Sequence, residues 1–161
     1  MRHPLHDYTT PGAYFITFVT LDRQNLLGTI RDGKFQSSKR GKIVERTWFD
    51  LPRYFPNLQL DAFQLMPDHV HCIMILVDPK LSGVLPGKAK GIPQVVQAFK
   101  GMSARKINRV FGTPGQAVWQ RGYNDRVIRS ERELEKFRQY TLTNPLRQVF
   151  RPADGASAST Q

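Results

Sequence analysis

Two apolar, strand-like segments, Leu58–Met66 and His69–Val77, are joined only by Pro67 and Asp68. A parallel connection needs a crossover of about a dozen residues or more, so a two-residue link forces a tight antiparallel pair. The chain is therefore built around an antiparallel ladder, and its other elements must cover that sheet.

The rest of the pattern supplies those elements. Ala13–Leu21 follows a Pro11-Gly12 turn and is dense in β-branched and aromatic residues, which predicts a further, buried strand. Leu26–Ile30 and Lys34–Gln36 flank the turn signal Arg31-Asp32-Gly33 and read as a short hairpin. Ser37 or Ser38 caps a helix expected to reach about Tyr54, with Ile43, Trp48 and Leu51 among its apolar positions and Pro56 beyond its end. Val77–Gly91, punctuated by Pro79, Gly83, Pro86 and Gly87, reads as a flexible loop. Ile92–Val110 is helical, with Pro93 in its first turn. Ile92, Val96, Phe99, Ile107 and Val110 form its core stripe, and Arg105 and Arg109 point away from it. Val118–Ile128 reads as a loop with a short edge strand. Ser130 and Glu133 form a capping box for a last helix from Glu131 to about Thr143, ended by Pro145.

That order predicts an α+β fold, an antiparallel sheet with helices packed mainly on one face. A length of 161 residues suits one domain, placed over residues 1–150, and the small polar run 151–161 reads as a disordered tail. His3 and His6 are expected to belong to a mobile end. No apolar run approaches the ~18–20 residues of a bilayer span, so no membrane partner is expected. The N-terminal MRHPLHD lacks the apolar segment of a secretory signal, and the lone Cys72 allows no internal disulfide. Both fit the cytoplasm.

Charge narrows the partner. Twenty-four Lys plus Arg against 13 Asp plus Glu give a net charge of +11, which favours a polyanion. Between Asp78 and Asp125 there is no acidic residue, while Lys100, Arg105, Arg109 and Arg121 all fall there. Nucleic acid is the expected ligand, with a basic solvated face as the ordinary alternative for any single cation.

Chemistry enters at two places. His69 and His71 lie two apart in a strand, so both imidazoles project from the same face, while Cys72 projects from the other. Tyr140 and Asn144 lie four apart on the last helix, on the side shared by Leu134, Phe137 and Thr141. Taken singly, these are a solvated histidine pair and a core tyrosine. Taken together, two neutral imidazoles and one amide oxygen leave room on a hard cation for water and a phosphate oxygen. This donor set suits Mg²⁺ or Mn²⁺ better than a closed zinc site. Tyr140 would then attack phosphorus and conserve the phosphodiester energy in a phosphotyrosine bond, so that rejoining needs no ATP.

The segments PGAYFITFVT, LMPDHVHCIMIL, FKGMSARKINRV, VWQRGYNDRVIRSERELE and the terminal YTLTNP, in this order, resemble the HUH single-stranded-DNA transposases, and among them the REP-associated tyrosine transposases. The resemblance covers roughly Asp7 to Phe150. It implies an RRM-like, ferredoxin-like sheet with the histidine pair on a central strand. It also implies Tyr140 as nucleophile, Asn144 completing the metal site, a 5′-phosphotyrosine with a free 3′-OH, and single-stranded or hairpin DNA as substrate. Relatives include homodimers, so a homodimer is among the partners implied, and the protein would be nucleoid-associated when bound to DNA. Two segments depart from the pattern. Gly122–Arg126 lacks the second tyrosine or histidine often found there in relatives, and Tyr140–Asn144 lacks a histidine often found between the tyrosine and the asparagine, which bears on fine substrate contacts.

Lys100, Arg105 and Arg109 are candidate phosphate contacts. Trp119, Gln120 and Arg121 are candidate DNA contacts, with Trp119 open to a core role instead. Tyr123 is the rival nucleophile, or else a base-stacking or packing residue. Two other functions remain open. One is a non-catalytic regulator with an RRM-like sheet, although the aromatic RNP signature that such a module uses is missing. The other is a relaxase-like initiator with the same chemistry.

Overall fold

The computed structural model describes residues 10–83 and 90–149, without the side chains of 144–149. Its elements in chain order are β1 (Gly12–Val19), β2 (Gly28–Arg31), β3 (Lys34–Ser37), α1 (Lys39–Asp50), β4 (Leu58–Leu65), β5 (His69–Leu76), α2 (Ile92–Phe111), β6 (Asn124–Ile128) and α3 (Glu131–Val149). Four strands form one antiparallel sheet in the order β4-β5-β1-β6, and β2 pairs with β3 as a separate hairpin. With the hairpin and α3 set aside, the order strand, helix, strand pair, helix, strand is the RRM-like, ferredoxin-like arrangement.

Period-two alternation divides the sheet into two faces. Tyr14, Ile16 and Phe18 of β1 join Val70, Cys72, Met74 and Leu76 of β5 in the main core, where Val44 and Trp48 of α1 and Val95 and Phe99 of α2 meet them. The opposite face carries Phe15, Ile73 and Ile128, and Leu134, Phe137 and Tyr140 of α3 pack onto it. Helices α1 and α2 thus cover one face and α3 crosses the other. Among the described residues, no helix is long and apolar enough to cross a membrane.

Several boundaries differ from expectation. Helix α1 stops at Asp50 and tightens into a 3₁₀ turn, Leu51–Arg53, because Pro52 cannot donate the next helical hydrogen bond. The buried stripe of α2 ends on Phe111, which packs partly on the core, and this leaves Val110 50% exposed. Pro145 does not end α3, which continues to Val149 with the bond from the missing amide to Thr141 forfeited. The amide of Glu133 bonds Ser130 Oγ at 3.1 Å, but the Glu133 carboxylate reaches the amide of Arg129 rather than that of the cap residue. Residues 1–9, 84–89 and 150–161, which hold His3, His6, part of the 77–91 loop and the polar tail, lie outside the described residues.

Candidate active site

The two-residue Pro67-Asp68 link sets His69 at the first position of β5, and alternation brings His71 to the same face. Their ring centroids are 4.7 Å apart. Each Nδ1 has its own partner: that of His69 lies 2.6 Å from Asp68 Oδ1, and that of His71 lies 3.0 Å from Thr17 Oγ1, on the residue directly across the ladder. Engagement of both Nδ1 atoms leaves Nε2 of each ring as the nitrogen for a ligand, and such outer partners fix ring orientation in metal sites.

Electrostatics favour the ligating form. Burial, and then the neighbouring His69, push His71 down to about 3 against a smaller opposing pull from Asp68, so its imidazole is neutral at pH 7. Burial alone would raise the Asp68 carboxyl, but the hydrogen bond with His69 and the charge of Arg23 help to outweigh it and hold Asp68 below its usual range. Cys72 is wholly buried on the opposite face, with its thiol pushed up by burial, and is no part of the site.

Helix α3 brings Tyr140 to this pair. The Phe15 ring stacks on His71 at 5.4 Å and meets Phe137 at 4.7 Å and Tyr140 at 6.0 Å. The Tyr140 ring lies 5.5 Å from that of His71, edge to face. Thr141 is fully buried, and Arg138 grips the Asp61 carboxylate of β4 through Nε at 2.9 Å and Nη2 at 2.7 Å, which anchors the helix to the sheet. Asn144 stands one helical turn beyond Tyr140 in α3, and its side chain lies outside the described residues. Among the described residues, no three His, Cys, Asp or Glu side chains gather where they could hold a metal. A cation here would depend on the two imidazoles supplemented by an amide, water or substrate oxygen, a donor set that fits Mg²⁺ or Mn²⁺.

The other candidates separate. Arg105, Arg109, Gln120 and Arg121 are exposed, the two arginines of α2 on the far side of the sheet from the histidines. Trp119 is 8% exposed, stacks among Phe18 and Phe99, and donates its indole N–H to Ser103 Oγ at 2.9 Å. It is a core residue and offers no face to a base. Tyr123 packs partly against that same core, whereas Tyr140 packs against the cluster on the other face of the sheet. The Lys100 ammonium donates to the carbonyls of Gln120, at 2.8 Å, and of Gly122, so it is engaged within the protein rather than open to a phosphate.

Sequence reasoning missed Thr17, Asp68, Phe15 and the Asp61–Arg138 clamp. Only Asp68 carried a local signal, being an acid in the turn immediately before a candidate ligand.

Residues 55–144, more than half of the chain, match the family model described as "Transposase IS200 like". The chain belongs to the IS200-like transposase family. The matched stretch of this IS200-like transposase contains His69, His71, Tyr140 and Asn144. An uncharacterized protein of Haemophilus influenzae is 30% identical over 156 residues, 88% of this chain and 84% of that protein. A second Haemophilus influenzae protein, provisionally named a REP-associated tyrosine transposase, is a more distant homologue, 22% identical over 156 residues, 93% of this chain and 79% of that protein. Among solved structures, a REP-associated tyrosine transposase bound to a REP hairpin matches with a TM-score of 0.65 at 18% identity, covering 92% of this chain and 74% of that one. A provisionally named transposase from Deinococcus radiodurans matches with a TM-score of 0.53 at 23% identity, covering 90% and 98%. At these identities the likeness is one of fold.

Proposed function

We propose that this IS200-like transposase nicks and rejoins single-stranded or hairpin DNA through a covalent bond between Tyr140 and a 5′ phosphate, with its catalytic unit over residues 1–150. The observation that carries the reading is the approach of the Tyr140 ring to within 5.5 Å of His71 on the sheet face that also carries Phe15 and Ile73. His69 and His71, through Nε2, and Asn144 would hold a Mg²⁺ or Mn²⁺ ion. When bound, that ion supplies Lewis-acid polarisation of the scissile phosphate.

The chain's own residues do the rest. Thr17 and Asp68 hold the imidazoles in register, and Phe15 and Phe137 set the Tyr140 ring beside them. The Tyr140 oxygen loses its proton and attacks phosphorus, the bond from phosphorus to the 3′ oxygen breaks, and that oxygen leaves as a 3′-OH, the proton given up by the phenol balancing the one it gains. Rejoining reverses the step: a 3′-OH attacks the phosphotyrosine and the phenol is released. Arg105, Arg109 and Arg121, all exposed, would contact DNA phosphates. The REP hairpin in the structurally similar transposase supports hairpin DNA as the substrate class.

The test is to incubate a labelled hairpin oligonucleotide bearing a single-stranded extension with protein and Mn²⁺ or Mg²⁺. A covalent protein–DNA band is expected, abolished by EDTA and by Tyr140→Phe. The same band from the Tyr140→Phe protein would overturn the assignment.

A further inference from the structure

Lys100 extends the contact that Phe99 and Ser103 of α2 make with Trp119 to the loop that follows it. It projects from α2, on the core side of the sheet, and its ammonium donates to the carbonyls of Gln120 and Gly122, one on each side of the exposed Arg121. The same short segment is also fastened to the sheet: the Gln120 amide donates to Val19 O at 2.8 Å, and Trp119 bridges Thr20. Val19 and Thr20 in turn border the histidine turn. Val19 pairs with His69, and both the amide and the hydroxyl of Thr20 donate to Asp68 O, at 2.9 and 3.0 Å. The Gln120 backbone therefore lies two strand spacings, about 10 Å, from that of His69.

An ammonium has three donors, and here two serve backbone carbonyls. Burial draws Lys100 below its usual range, and the two acceptors replace the water it gives up. A role as a direct phosphate contact would require breaking this arrangement. Gly122 adds a backbone element, since its φ of +80° suits glycine and closes the loop just after Arg121.

We propose that Lys100 is a positioning residue that clamps the Gln120–Gly122 loop at the histidine end of the sheet, so that Arg121 binds a backbone phosphate of single-stranded DNA beside the cleaved one. The proposal rests on the transposase reading of the site and adds to it a phosphate subsite with the residue that holds it in place.

The experiment is a double-mutant cycle on the full chain, with Lys100→Met, Arg121→Ala and the pair, binding a fluorescent hairpin that carries a single-stranded extension. Each single variant is expected to weaken binding about tenfold, the scale of one charge-assisted contact. The pair is expected to bind no more weakly than Arg121→Ala alone. The slope of log affinity against log salt falls by about 0.7 for either variant, and by no more for the pair. Gly122→Ala is expected to give the same loss with all charges retained, because a Cβ there meets nothing within 4 Å and acts only through the strained φ.

Additive losses would overturn the proposal by making Lys100 a phosphate contact in its own right, and an unchanged Arg121→Ala would overturn it by removing the loop from the DNA. If thermal melting shows that Lys100→Met fails to fold, Gly122→Ala and Arg121→Ala complete the same cycle. A protein that binds DNA but never forms an adduct would defeat the transposase chemistry and still leave this cycle readable.

Discussion

Thr17 Oγ1 lies 3.0 Å from Nδ1 of His71, across the β1–β5 ladder in which the two residues are direct partners. The contact holds one imidazole of the proposed metal site by its remote nitrogen, as outer partners of metal ligands do. Thr17→Val keeps the shape and removes the oxygen, so Mn²⁺ affinity should fall by roughly 10- to 100-fold. Thr17→Ser should restore most of it. Titration followed by electron paramagnetic resonance reads both, and equal affinities for all three proteins would show that the hydroxyl plays no such part.

His71 makes the protein sensitive to acid. Its folded value is about 3 against an ordinary 6.5, so between those limits the unfolded chain binds the extra proton. The sign follows: the stability is fully present above about pH 6.5 and is lost as pH falls toward 3. The slope for one such group approaches about 1.4 kcal/mol per pH unit. Urea midpoints between pH 7 and pH 4 should fall less steeply for His71→Gln than for the unmodified protein. Parallel curves for the two proteins would contradict the account of His71 as a buried neutral imidazole.

The Asp61–Arg138 pair anchors the helix that carries Tyr140. The Arg138 hydrogen bond, working against burial, holds Asp61 below its usual range, so this support is present above about pH 4 and disappears as pH falls through the lower folded value. Asp61→Asn should cost roughly 1 kcal/mol of stability, since Arg138 is partly open to water. The rate of nicking at saturating DNA should fall more than DNA affinity, because α3 is loosened and the basic surface is untouched. Single-turnover kinetics beside equilibrium binding checks the split, and a loss confined to affinity would argue against α3 as the carrier of the reacting group.

Some of this architecture is legible in local sequence and some is not. The Leu58–Met66 and His69–Val77 pair could be read because a two-residue link permits only one geometry, and parity then settles that His69 and His71 share a face. Helical period likewise aligns Tyr140 with Phe137 and Leu134. Thr17, by contrast, is 54 residues from His71, and nothing local sets the register that brings them together. The same holds for Asp61 with Arg138 and for Lys100 with the 120–122 carbonyls. In sequence Trp119 fits a core or a surface role, because indoles serve both, and only the packing of Phe18, Phe99 and Ser103 around it decides. Pro145 is a weak stop signal, because a proline within a helix forfeits a hydrogen bond yet does not forbid continuation.

The central claim is that the phenol on α3 and the imidazoles on β5 form one reacting centre. Its most direct measurement is mass spectrometry of the peptide that retains DNA after the covalent adduct is digested with protease and nuclease. A nucleotide phosphate on the peptide containing Tyr140, formed only with Mg²⁺ or Mn²⁺ and absent from a His69→Ala, His71→Ala protein, is the predicted result. A nucleotide on Tyr123, or an adduct on Tyr140 that persists without the histidines, would contradict it.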